Sequence, residues 1–223
     1  MPKRIYLQTS GLTGSVPVGF KAIGLNNNGD LSIKDSDGTT TGVGDDFTYY
    51  IGQYVPSEGG VIFHRYIDDT NQNYLIVDTT DLGNNDVVWS NVLTQIPFSA
   101  ADSSWNGLEN SNAIVNQIGH VESAAKLCLD STNNGKSDWY LPATDELNLL
   151  YGNRFEVNRT LSGYSSYGSI IGAIELSNSF LYWSSTQNGN QAIVLYTTYG
   201  YNEATAKDNQ FSVRAIRKIS LPL

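Results

Sequence analysis

Short apolar runs broken by glycine and asparagine dominate the first quarter of the chain. Ile5-Tyr6-Leu7-Gln8, Phe20-Lys21-Ala22-Ile23-Gly24-Leu25 and Leu31-Ser32-Ile33 have the length and content of strands. Asn28-Gly29-Asp30, between the last two, reads as a hairpin turn because Asn-Gly accepts positive φ. Ser36 to Gly44 is too polar to bury and is read as a surface loop or linker. From Gly59 onward, Val61-Ile62-Phe63-His64 and Tyr74-Leu75-Ile76-Val77 predict two paired strands. Ile114, Ile118, Val121, Ala125 and Cys128 recur at spacings of four and three, which predicts one helix over roughly Ser111 to Leu129 with these side chains inward. Pro142 opens a second helix reaching about Tyr151, with Leu147 and Leu150 facing the core. Residues 153 to 179 carry no clear pattern. Three late strands follow, Phe180 to Thr186, Ala192 to Thr198 and Gln210 to Ile219. The order of elements predicts the α+β class, a short β-rich segment over 1–57 followed by a domain over 58–223 of antiparallel sheets with two helices.

Composition sharpens this picture. Forty per cent apolar residues in a chain of 223 suffice for a sizeable core, and only 16% are charged. A net charge of −9 with 13 scattered basic residues excludes a nucleic-acid groove and disfavours anionic membranes. No run of eighteen apolar residues exists for a membrane span, and Met1-Pro2-Lys3-Arg4-Ile5-Tyr6 lacks the apolar stretch of a signal peptide, so synthesis and folding in a cytoplasm are expected. One cysteine agrees with that compartment, and its position on the predicted helix makes Cys128 a buried core thiol.

Three blocks carry a resemblance: Asp138-Trp139-Tyr140-Leu141-Pro142, Tyr182-Trp183-Ser184-Ser185-Thr186 and Ser212-Val213-Arg214-Ala215-Ile216-Arg217. Together with Gly59-Gly60-Val61-Ile62-Phe63 and Asp145-Glu146-Leu147 they resemble the Lcl C-terminal-domain family of bacteria and phages, from about Gly59 to Ile219. The resemblance implies a C-type-lectin-like fold. The family usually carries a cysteine near the final Val-Arg; Ala215 stands there, so no family disulfide to Cys128 is expected.

Candidate chemistry is sparse. Asp130, Thr132, Asn134, Lys136 and Asp138 imitate positions 1, 3, 5, 7 and 9 of a calcium loop with Gly135 at position 6, but Leu141 replaces the bidentate Glu and the ligand charge is low. A capped helix-to-strand turn is the competing reading. His64 and His120 have no partners at metal-ligand spacing, and Asp68-Asp69 reads as a solvated turn. No nucleophile elbow, phosphate loop or zinc-protease motif occurs. The enzyme among fold relatives, the formylglycine-generating type, depends on reactive cysteines that one buried thiol does not supply. Asn158-Arg159-Thr160 is a glycosylation sequon without secretory context. Trp139 and Trp183 are assigned to the core in preference to sugar stacking, and Arg214 and Arg217 to ion pairs with carboxylates such as Asp145 or Glu146.

The strongest surface candidate is a polar, tyrosine-rich ladder between the late strands: Gln187, Asn188, Asn190, Gln191, Tyr196, Tyr199, Tyr201, Asn202 and Asn209. Tyrosine and asparagine make adaptable binding surfaces at low entropic cost. In phage proteins of the implied fold, retroelement-diversified positions fall in the corresponding region; turn chemistry alone also favours asparagine and glycine. The expectation is a non-enzymatic phage virion protein, a head or tail fibre or decoration. It is expected to be anchored and oligomerised through residues 1–57 with other virion proteins and to present a lectin-like domain to a host glycan or protein. The alternatives are an architectural adaptor within the virion and a bacterial surface adhesin.

Overall fold

The computed structural model describes residues 4–7, 15–18, 20–25, 31–38, 40–42, 47–97, 100–163 and 168–223. The chain divides into two compact units, Met1–Thr48 and Tyr49–Leu223.

The first unit is a four-stranded sheet of β1 (Arg4–Leu7), β2 (Phe20–Leu25), β3 (Leu31–Asp35) and β4 (Thr40–Gly42), in that order. β1 runs parallel to β2, and the other pairs are antiparallel. Lys21 lies opposite Asp35 across β2 and β3 and pairs with it at 2.9 Å, a cross-strand ion pair that helps fix register. The Asn28-Gly29-Asp30 turn lies outside the described residues. Part of the stretch expected to be a loop forms β4, because Thr40 and Thr41 pair with Lys34 and Ile33.

The second unit holds two sheets. One runs in the order β13 (Ile216–Pro222), β7 (Asn71–Asp78), β6 (Gly60–Ile67), β5 (Tyr54–Val55). The other runs β11 (Tyr201–Ala206), β10 (Gln191–Tyr196), β9 (Leu181–Asn188), β12 (Gln210–Val213), β8 (Gly83–Val88). All pairings within these two sheets are antiparallel except β12 on β9. The expected β6–β7 pair forms; Val61, Ile62 and Phe63 are all fully buried, so both faces of β6 are covered.

Four α-helices occur among the described residues where two were expected: α1 (Gly107–Val115), α2 (Ala124–Leu129), α3 (Thr144–Gly152) and α4 (Arg154–Leu161). The single helix expected over Ser111 to Leu129 is two. Gly119 adopts φ +83°, a left-handed conformation that cannot continue a helix, and Ser123 caps a new start by accepting from the Lys126 amide at 2.9 Å. Ile118 and Val121 are therefore exposed, while Ile114, Ala125 and Cys128 are buried as expected. The second expected helix is α3, with Leu147 and Leu150 buried against Val61, Phe63, Tyr182 and Leu195. α4 and β11 carry too few apolar residues to stand out in the sequence.

Trp89, Trp139 and Trp183 are fully buried, and each indole N–H is satisfied: by the Ser184, Asn133 and Val87 carbonyls at 2.7, 3.1 and 2.8 Å. Trp183 also meets Phe211 edge-on at 4.8 Å between centroids. The core reading of Trp139 and Trp183 therefore holds. Arg214 and Arg217 do pair with carboxylates, but not with Asp145 or Glu146. Arg214 meets Asp81 at 2.6 Å; Arg217 grips both oxygens of Asp138 at 2.6 and 2.7 Å and Glu58 at 2.9 Å. Asp145 instead accepts from Ser104 Oγ, and Glu146 from Tyr140 Oη and two backbone amides.

Lys207 is a buried cation. Its ammonium donates to the Thr94 carbonyl at 2.9 Å and Gln187 Oε1 at 3.3 Å and lies 4.5 Å from the Trp89 ring centroid. Burial pulls its pKa down to about 8, with Asp102 opposing. Between pH 8 and the ordinary lysine value the unfolded chain therefore holds a proton that the folded chain has released, so the contribution of Lys207 to stability rises with pH. Tyr140 and Tyr182 are pushed above the ordinary tyrosine value, chiefly by burial, which reverses the trend above about pH 10. Cys128, whose thiol burial also pushes up, opposes the trend from about pH 9, so the Lys207 contribution is read as a difference: the unfolding free energy of the protein relative to Lys207→Met, from urea titrations, should climb by about 2 kcal/mol between pH 8 and 10.

Candidate functional site

The tyrosine-rich ladder is built on the hairpin of β10 and β11. Tyr196 ends one strand, Tyr201 begins the next, and the two residues pair directly. Between them Gly200 adopts φ +73°, and its amide donates to the Tyr196 carbonyl at 2.7 Å. A Cβ on Gly200 would sit 2.8 Å from the Tyr151 ring, so the turn requires glycine both for its backbone and for its fit against α3.

This geometry stacks the rings. Tyr196 and Tyr201 are nearly parallel, 9° apart with centroids at 4.8 Å, and Tyr199 follows at 6.2 Å and 22°. Tyr199 is 76% exposed and Tyr201 45% exposed, so the stack presents aromatic surface to solvent. The Tyr196 hydroxyl has its pKa raised, by partial desolvation first and then by Glu203. α3 packs on the other side of this hairpin: Asn202, paired with the buried Leu195, donates to Asn148 Oδ1 at 3.0 Å, Tyr151 Oη donates to the Thr197 carbonyl at 3.0 Å, and Arg154, the first residue of α4, lies over the Tyr151 ring at 3.9 Å. Tyr196 and Tyr201, with Tyr199 beside them, thus form one face of the hairpin, and Asn202 lies on the opposite face with Asn148, Tyr151 and Arg154. Asn148, Tyr151 and Arg154 were not anticipated, because α3 and the start of α4 meet the hairpin through packing without local sequence signal.

Asn188, Asn190 and Asn209 do not join that face. Asn188 and Asn190 flank Gly189 in the turn from β9 to β10, and Asn209 lies in the turn from β11 to β12. Both turns lie at the end of β10 opposite Tyr196, roughly 16 Å along the strand. There Asn190 accepts from the Gln95 amide at 2.9 Å, and Asn209 donates to Thr205 Oγ1 at 2.6 Å. Gln187 is buried and bridges Ile96 and Asp102, which removes it from the surface.

The calcium-like loop is occupied by protein contacts. Asp130 is paired with Lys126, Asp138 with Arg217, and Lys136 with Glu58 at 3.6 Å. Asn134 takes φ +55° and donates to the Gly59 carbonyl at 2.7 Å, while Thr132 is exposed with its carbonyl accepting from the Gly135 amide. The side chains of Asp130, Asn134, Lys136 and Asp138 thus engage separate protein partners, and among the described residues no three His, Cys, Asp or Glu side chains group as metal ligands. Burial, and then Asp78, pushes the Cys128 thiol up, the reverse of an activated nucleophile. His64 and His120 both have pKa values lowered by burial, and His120 is bonded to Ser123 Oγ at 2.9 Å. Asp68 caps its turn by accepting from Thr70, Asn71 and Asn73, which lowers its pKa to about 2. Asn158 of the sequon is engaged at both ends by the Leu176 backbone.

The fold and this face define an α+β protein of mainly antiparallel sheets whose most distinctive surface is aromatic. The family model of the Lcl C-terminal domain matches residues 70–217, and the chain belongs to that family. A comparison with curated proteins finds no match.

Proposed function

We propose that this chain is a non-enzymatic virion protein of a phage, whose second unit is a C-type-lectin-like domain that attaches to a host glycan or protein. The stack of Tyr196, Tyr199 and Tyr201 carries this reading. Tyr199 is mostly and Tyr201 nearly half in water, at the tip of a hairpin on an edge strand, held by stacking and not by core burial. Rigid aromatic rings bury much area at little entropic cost on binding. No cofactor and no catalytic step is invoked, which suits a buried, unreactive Cys128 and a calcium-like loop already committed to ion pairs. The β-rich first unit would anchor the protein to other virion proteins and bring copies together. Display in many copies then converts weak single contacts into stable attachment.

Replacing Tyr196, Tyr199 and Tyr201 by alanine together should weaken attachment to host cells at least about a hundredfold, because hot-spot rings contribute about 2 kcal/mol or more each. Binding of purified protein to cells, followed beside thermal unfolding, checks this. Unchanged binding, or a loss matched by collapse of the fold, would refute the reading.

A further inference from the structure

Trp105 stands apart from the other three tryptophans, which are fully buried: it is 51% exposed, at the mouth of a cleft of about 210 Å³ remote in sequence from the tyrosine hairpin. Tyr66, Trp105, Leu108 and Tyr140 form aromatic and aliphatic walls, and Glu146 and Lys218 supply the polar groups. The exposure of Trp105 is built in. Ser103 Oγ accepts from the Trp105 and Asn106 amides at 3.2 and 2.9 Å. The Ser103 carbonyl accepts from Asn110 and Thr186. Ser104 is clamped to Asp145 through both its carbonyl and its hydroxyl, at 2.7 and 2.6 Å. A loop held by this many bonds keeps its indole half in water as a fixed surface, where folding alone would gain by covering it.

We infer that this cleft binds a single neutral sugar ring, stacked by its apolar face on Trp105 with its hydroxyls directed to Lys218 and Glu146. Size argues for one ring, since pockets for larger ligands run roughly 300–1,000 Å³. Charge argues for neutrality. Lys218, exposed and 5.3 Å from the Tyr66 ring centroid, offers donors, whereas Glu146 offers a carboxylate at the floor, 5% exposed, so the cleft carries both signs. A cation would meet Lys218 and an anion would meet Glu146. Glu146 is also held in place from behind by Tyr140 Oη at 2.9 Å and by the Gly107 and Ala143 amides at 3.1 and 2.8 Å. The cleft shares no residue with the tyrosine face, so the two can fail separately.

The test uses the full chain with free glucose, galactose, mannose, rhamnose and N-acetylglucosamine, followed by ligand-observed saturation-transfer NMR and by tryptophan emission. At least one of these sugars should give saturable signals at millimolar concentration, with a change in the emission of the exposed Trp105. Trp105→Ala should abolish the NMR signal and Lys218→Ala should weaken binding tenfold or more. Both variants should keep the parent's thermal midpoint, and the triple tyrosine variant should retain sugar binding in full. Absence of saturation with every sugar, saturation that survives Trp105→Ala, or loss only in the tyrosine variant would overturn the assignment.

Discussion

Replacing Arg214 by methionine should lower the unfolding free energy of the second unit by about 3–5 kcal/mol, the usual consequence of removing one partner of a buried ion pair. Arg214 is 1% exposed, and its guanidinium spends every edge: on Asp81 at 2.6 Å, on the Asp78 carbonyl at 3.0 Å and on the Ile174 and Glu175 carbonyls at 2.9 and 3.3 Å. Methionine fills the volume but satisfies none of these, and the Asp81 carboxylate, 8% exposed, loses its counter-charge. Asp81 already has its pKa raised because desolvation outweighs Arg214, and without the arginine it rises further. The folded variant then binds a proton that the unfolded chain does not, so its deficit should shrink as pH falls from neutrality toward the ordinary aspartate value. Urea unfolding at pH 7 and pH 5 checks both the size and the trend. A deficit under about 1 kcal/mol, the range of exposed pairs, would refute the assignment of this pair to the buried class.

Gly107→Ala should cost about 3 kcal/mol, roughly 10 °C in thermal midpoint for a domain of this size. A Cβ there would lie 2.5 Å from Glu146 Oε2, 2.5 Å from the Leu141 carbonyl and 2.7 Å from the Ala143 amide. Two of these are backbone, so the starts of α1 and α3 must separate. That separation breaks the Gly107 amide's bond to Glu146 and leaves a buried carboxylate, its pKa already raised chiefly by burial, with fewer donors. Gly152→Ala is the control: nothing lies within 4 Å of its added Cβ, and the substitution should be neutral or slightly stabilising. Calorimetry on the two variants distinguishes close packing at Gly107 from a general intolerance of alanine.

Residues with a local physical signature were legible in the sequence, and those defined by long-range packing were not. The apolar runs Val61–Phe63 and Tyr74–Val77, the inward leucines of α3 and the apolar setting of Trp139 and Trp183 express burial within a few positions of themselves. The break between α1 and α2 was also written locally, in Gly119 and Ser123, but the spacing of Ile114, Ile118 and Val121 imitated a continuous stripe. The ion-pair partners Asp81, Asp138 and Glu58 lie 133, 79 and 159 residues from their arginines, beyond any spacing rule. For the same reason the tyrosines of the candidate face could be named from the hairpin, while the opposite-end position of Asn188, Asn190 and Asn209 required the register of β10.

β12 and β13 are separated only by Arg214 and Ala215, yet they belong to different sheets, and β13 pairs with β7 along seven residues from Ile216↔Val77 to Pro222↔Asn71. A ribosome must therefore polymerise about 140 further residues after β7 before that strand's partner exists. Until then β7 presents an open, apolar edge able to recruit a neighbouring chain. Folding of this unit is consequently tied to the synthesis of β13, and chains interrupted upstream of residue 216 should collect as aggregates instead of soluble fragments.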